Sequence, residues 1–133
     1  MGAKLAQPEK TCVAFMGDGA FGMVGMDFET AVREEIPIIA IVMNNGTLGM
    51  FKGINPVASE KYGLDKLSGN YSMLAKALGG YAERVEKPED IIPAVQRAKE
   101  ANDSGKAALL EIMTQEELAM SHLFRLNKPP EKK

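Results

Sequence analysis

The sequence predicts an α/β fold in three layers, a mainly parallel sheet with helices on both faces. Short apolar runs at residues 11–16 (TCVAFM), 38–43 (IIAIVM) and 107–113 (AALLEIM) alternate with amphipathic stretches. The middle run is apolar on both faces, as strands in a helix-covered parallel sheet are. Length and composition suit one soluble domain: 133 residues, 45% hydrophobic and 26% charged, with a mean hydropathy of −0.15.

The elements follow in order. Residues 1–10 are polar and read as an irregular, flexible N-terminus. Residues 11–16 are β-branched and apolar, hence a buried strand. Gly17-Asp18-Gly19 breaks it. Phe21, Val24, Phe28 and Val32 then recur at helical spacing, with Glu29, Arg33 and Glu34 between them. That pattern predicts one amphipathic helix ending before Pro37. Residues 38–43 form the second strand. From Asn44 to about Gly69 runs a long connection with Gly46, Gly49, Gly53, Gly63 and Pro56. A compact domain rarely carries so long a loop without a functional cause. Asn70 is placed to cap a helix through Tyr71, Leu74 and Leu78 that stops at Gly79-Gly80. Residues 81–85 are a third strand, Pro88-Glu89-Asp90 is a helix start, and residues 95–101 are helical. Residues 107–113 are the last strand and 116–126 a terminal helix. One domain therefore spans 11–126, and 127–133, with Pro129, Pro130 and three lysines, form a flexible tail.

Composition removes several function classes. Sixteen Lys and Arg against 18 Asp and Glu give a net charge of −2, without the basic excess of a nucleic-acid binder. No apolar run approaches the ~20 residues that cross a bilayer. Residues 1–10 lack the apolar core of a secretory signal, so a cytoplasmic location is expected. Cys12 stands alone, which excludes an internal disulfide and a cysteine zinc site, and reads as a small buried hydrophobe. His122 is the only histidine and reads as structural or solvated rather than as a general base. Met16, Met43 and Met113 read as core, and so do Met23 and Met26.

The chemistry gathers at two strand ends. Gly17-Asp18-Gly19-Ala20-Phe21-Gly22 fits G-x-G-x-x-G after a strand and before a helix, the setting of a dinucleotide fingerprint. That reading wants an acid for the ribose near the next strand end, where Asn44-Asn45 stand instead. It also leaves Asp18 facing a diphosphate with its own negative charge. A divalent cation resolves the conflict. Mg²⁺ takes oxygen ligands, commonly one or two carboxylates plus substrate phosphates. Asp18 and Asn45 end successive strands across one crossover, so in a parallel sheet both open on the ligand-binding edge. A carbonyl of the Gly46-Thr47 turn, two diphosphate oxygens and a water would complete the shell. Main-chain amides at the helix start would help hold the diphosphate.

These residues resemble the GDG…NN signature of thiamin-diphosphate-dependent enzymes. The surrounding text, GDGAFGMVGMDFETAVREEIPIIAIVMNNGTLGM, is most similar to the acetolactate synthase and 2-keto acid decarboxylase branch. The resemblance covers roughly residues 11–113. It implies the thiamin-diphosphate-binding fold of the C-terminal domain, with its N-terminal part missing. It also implies thiamin diphosphate and Mg²⁺ as cofactors. Asp18 and Asn45 match the metal ligands, and Thr47 matches the residue lending its main-chain oxygen. Gly17, Gly19 and Ala20 match the diphosphate-contacting backbone; Leu48, Gly49 and Met50 match the stretch against the cofactor. The family's activating glutamate lies in a separate pyrimidine-binding domain with no counterpart here. The resemblance therefore implies a homo-oligomer or a partner chain supplying that domain, no catalytic residue of this chain's own, and no turnover by the chain alone. A non-catalytic, self-associating remnant is the alternative, and a dinucleotide-binding module comes third.

Overall fold

The structure is a computed structural model and describes residues 1–116. Four strands, β1 (Val13–Gly17), β2 (Ile39–Asn44), β3 (Tyr81–Val85) and β4 (Ala108–Met113), form one sheet in the order β1-β2-β4-β3. Every pairing is parallel, with Phe15 opposite Ile41, and Ile41 opposite Leu110. Alternation along β2 and β4 divides the core in two. Ala40, Val42 and Leu109 meet Phe21, Phe28, Ala31 and Ala75 on one face. Ile39, Ile41, Leu110 and Ile112 meet Ala94 and Ala98 on the other. The first face carries α2 (Asp18–Val24), α3 (Asp27–Arg33) and α6 (Tyr71–Ala77); the second carries α7 (Ile91–Asp103). The predicted three-layer α/β architecture is what the chain adopts.

Several details differ from expectation. Residues 2–6 are not irregular but form a short helix, α1 (Gly2–Ala6), held by the Lys4 ammonium, which donates to the Pro8 and Lys10 carbonyls at 2.7 and 2.8 Å. The single helix expected after Asp18 is two. The Gly25 amide closes α2 on the Phe21 carbonyl, and a Cβ at Gly25 would stand 2.7 Å from the Phe21 ring. The connection after Asn44 folds into α4 (Gly49–Ile54) and α5 (Pro56–Tyr62). Pro56 opens α5 with its preset φ, and Gly63 ends it in the left-handed region at φ 62°. The helix start read at Pro88-Glu89-Asp90 is a 3₁₀ turn that leads into α7 at Ile91, and α7 tolerates Pro93 within its first turn, where no intrahelical amide is lost.

The first strand is not buried. β1 lies at the sheet edge, α7 packs on β2, β3 and β4, and Phe15 is 71% exposed. Cys12 is accordingly half-buried, and Met23, Met26 and Met43, read as core, are exposed. Met16 does pack against the core. The expected helix over 116–126, His122 and the tail over 127–133 lie outside the described residues, apart from Glu116. Among the described residues no helix is long and apolar enough to cross a membrane.

Candidate functional site

Parallel register sets the carboxyl ends of β1 and β2 side by side, with Gly17 opposite Met43. The next residue on the first strand's chain, Asp18, opens α2; on the second, Asn44 closes the strand and Asn45 begins the loop. Asp18 is only 3% exposed. Its Oδ1 accepts the Gly19 amide at 3.0 Å, and its Oδ2 accepts the Gly46 amide at 2.8 Å. Burying a carboxylate is costly unless it is hydrogen-bonded and paired. Here both oxygens are hydrogen-bonded, yet no Lys or Arg among the described residues pairs with Asp18. The charge is oriented and left uncompensated.

The loop after β2 is shaped by its own side chains. Asn44, read from sequence as a turn-shaping residue, accepts the Gly46 amide on Oδ1 at 3.0 Å. The Asn45 Oδ1 accepts the Thr47 amide at 3.0 Å and the Thr47 hydroxyl at 3.3 Å. Such Asx turns are what asparagine does where the backbone must reverse. Gly46 sits at φ 69°, where a side chain would be strained. On either side of Thr47 the Leu48 amide donates to the Asp65 carbonyl at 2.7 Å, and the Leu67 amide to the Gly46 carbonyl at 2.8 Å. These bonds hold the Thr47 main chain in place.

An open cleft of about 360 Å³ lies over this edge. Gly17, Asp18, Gly19, Asn45, Thr47, Leu48 and Gly49 line it, all of them singled out from sequence. Ala20 sits half-buried in the first turn of α2 and is not among the lining residues. Met50 is the second residue of α4. Met43, Phe51 and Thr114 also line the cleft and were not expected there. A Cβ at Gly17 would meet nothing within 4 Å, so main chain faces open space. At Gly19 a Cβ would stand 2.6 Å from Leu48 Cδ2, so this glycine lets Leu48 close over the start of α2. The polar groups at this edge are carboxylate, amide and main-chain oxygens, a chemistry that suits Mg²⁺ rather than a thiophilic metal, with Asn45 Oδ1 here engaged by Thr47.

Sequence reading missed two residues beneath the site. Glu111 of β4 is fully buried and accepts from Asn44 Nδ2, the Ser72 amide and Arg84 Nη1 at 2.7, 3.0 and 3.0 Å. The signal was one acid inside an otherwise apolar strand, AALLEIM. Tyr71 stacks edge-on against Phe21, centroids 5.3 Å apart at 77°. Burial, then the negative charges of Asp18 and Glu111, push its hydroxyl pKa above the usual tyrosine value, so it stays protonated near neutrality.

Residues 1–112 match the family described as thiamine pyrophosphate enzyme, C-terminal TPP binding domain. A probable acetolactate synthase of Mycobacterium bovis is 34% identical over 126 residues, which cover 90% of this chain and 22% of that protein. A sulfoacetaldehyde acetyltransferase of Alcaligenes xylosoxydans is 38% identical over 122 residues, 89% of this chain and 20% of the relative. Among solved structures, a thiamine diphosphate-dependent 4-hydroxybenzoylformate decarboxylase of Rhodococcus jostii superposes with a TM-score of 0.72. It is 28% identical, and the match covers 89% of this chain and 22% of that one. The chain thus spans about a fifth of the length of these relatives. Matched by one family over nearly all its described length, and sharing that family's parallel sheet, the chain belongs to the thiamine pyrophosphate enzymes and carries their C-terminal cofactor-binding domain.

Proposed function

We propose that this chain anchors Mg²⁺–thiamin diphosphate through the Asp18 carboxylate, the Asn45 amide oxygen and the Thr47 carbonyl. It would serve as the diphosphate-holding part of an acetolactate-synthase-like enzyme acting on 2-keto acids. The supporting observation is Asp18 itself: buried, bonded to amides at two strand ends, uncompensated in charge, and lining an open cleft. Gly17, Gly19 and Ala20 would lay main chain along the diphosphate. Leu48, Gly49 and Met50 would lie against the rest of the cofactor. The cofactor, when bound, supplies an electron sink for the carbon–carbon bond that breaks. This chain's residues orient the metal and fix the loop; the proton transfers would fall to a pyrimidine-binding domain on a partner chain. The similarity to an acetolactate synthase and to a 4-hydroxybenzoylformate decarboxylase supports the 2-keto acid class. The exposed β1 edge, with Val13 47% and Phe15 71% exposed, supports association with a partner or a second copy.

Calorimetric titration with thiamin diphosphate, with and without Mg²⁺, tests the reading. Binding that requires Mg²⁺ is expected. Binding that ignores Mg²⁺, or no binding by wild-type chain in either condition, would overturn it.

A further inference from the structure

We infer that Glu111, which does not itself line the cleft, is a positioning residue that sets the metal-site loop through Asn44. The inference deepens the proposed cofactor site and rests on that reading for its functional meaning.

Glu111 stands near the carboxyl end of β4, a central strand, and is fully buried. An ionised side chain there is tolerated only with donors on both oxygens. Glu111 Oε1 accepts Asn44 Nδ2 at 2.7 Å and Arg84 Nη1 at 3.0 Å, and Oε2 accepts the Ser72 amide at 3.0 Å. An apolar residue of similar size would satisfy the packing on this face. What it would not do is distinguish the two ends of the Asn44 amide.

That distinction matters because the amide is a donor at one end and an acceptor at the other. With Nδ2 committed to Glu111, Oδ1 must face the Gly46 amide, which it accepts at 3.0 Å. The same Gly46 amide donates to Asp18 Oδ2 at 2.8 Å. A directed chain therefore runs from Glu111 through Asn44 and Gly46 to Asp18, linking β4 to the ends of β2 and β1. Reversing the Asn44 amide would set donor against donor at Gly46 and release the loop from Asp18. Outer partners of metal ligands typically change metal affinity by about 10–100-fold.

The test uses the 133-residue chain and three variants: Glu111→Gln, Asn44→Asp and the double variant. Glutamine leaves one acceptor and adds a donor facing Asn44, which removes the preference for one amide orientation. Aspartate at position 44 alone faces a carboxylate. The double variant exchanges donor and acceptor and restores complementarity between positions 44 and 111, with the glutamine oxygen still accepting the Ser72 amide; Arg84 Nη1 loses its acceptor at position 111 in both Glu111→Gln variants alike and keeps Glu86 through Nε at 3.1 Å. Two quantities are read: Mg²⁺-dependent thiamin diphosphate affinity, and hydrogen exchange of the Gly46 amide in protein without cofactor. Expected are faster Gly46 exchange and about tenfold weaker binding in each single variant, both returning towards wild type in the double. Ile112→Val serves as a packing control, expected to lower Tm without changing either readout.

If folded Glu111→Gln keeps wild-type Gly46 protection and affinity, or if the double variant restores neither, the inference fails. If Glu111→Gln does not fold, Asn44→Asp compared with the double variant decides: equal Gly46 exchange overturns the relay. If wild type binds no cofactor but Gly46 exchange follows the expected order, the cofactor reading fails and the relay itself stands.

Discussion

Two carboxylates in this molecule meet their neighbours in opposite ways. At one edge of the sheet, Glu83 on β3 takes a two-pronged contact from the Arg97 guanidinium of α7, at 2.8 and 2.6 Å, and a hydrogen bond from the Tyr81 hydroxyl. At the tip of the opposite edge strand, Asp18 takes two neutral main-chain amides and no cation among the described residues. Glu83 is closed electrostatically and needs nothing more. Asp18 is oriented by its bonds but keeps an unbalanced charge beside a cleft. A hydrogen-bonded acid is a binding group only where its charge is left over, and the two sites separate these conditions within one small sheet.

The largest effect falls on Asp18. Asp18→Ala should weaken Mg²⁺-dependent thiamin diphosphate binding by more than about a hundredfold, beyond the range typical of residues that only support a metal ligand. Calorimetry reads it directly, and retained binding would erase the difference between the two acids. Next comes a change that should damage the frame and spare the site. A Cβ at Gly80 would stand 2.5 Å from Phe28 Cε1 and 3.2 Å from the Ala107 carbonyl. Gly80→Ala should therefore cost about 1–3 kcal/mol in denaturant unfolding through overpacking. Cofactor affinity should stay within error of wild type, since Gly80 lies at the opposite end of the strands.

The smallest effect belongs to Glu83. Glu83→Gln should leave cofactor affinity unchanged and lower Tm slightly, as half-exposed ion pairs contribute little. Its pH dependence is more telling. Arg97, chiefly through its hydrogen bonds, holds the Glu83 carboxyl below the usual carboxylate range, with Tyr81 assisting and burial opposing. A lowered folded-state pKa gives stability that is present above the unfolded value and is lost as pH falls through the folded one. The Tm gap between wild type and Glu83→Gln should be constant near neutrality and close in acid. A gap that widened in acid would contradict the assignment.

Much of the Asp18 site was legible because strand ends and Gly-Asp-Gly are local signals. A strand at 38–43, joined to the first by a helical crossover and so parallel to it, brings Asn44 and Asn45 to the same edge as Asp18. The break between α2 and α3 was not legible, because Phe21, Val24, Phe28 and Val32 stay in helical phase across it. The break falls at Gly25, where a Cβ would meet the Phe21 ring one turn back, and a lone glycine inside a helical pattern does not by itself announce an end. Helices α4 and α5 were hidden for another reason. They are short and largely exposed, α5 buries no residue, and no apolar period marks them. Exposure of β1 was likewise invisible, since TCVAFM reads the same at an edge as in a centre. Glu111 did carry a signal, a charge within an apolar strand, but its partner Asn44 lies across a strand pairing that sequence order alone does not give.

On the proposed reading, the tips of β1 and β2 share one divalent cation. Locating Mn²⁺ by anomalous scattering in crystals grown with thiamin diphosphate tests it most directly. A single peak is expected at coordination distance, about 2.1 Å for a Mg²⁺-type site, from oxygens of Asp18, Asn45 and Thr47. Bound cofactor whose metal sits away from Asp18 and Asn45 would contradict it.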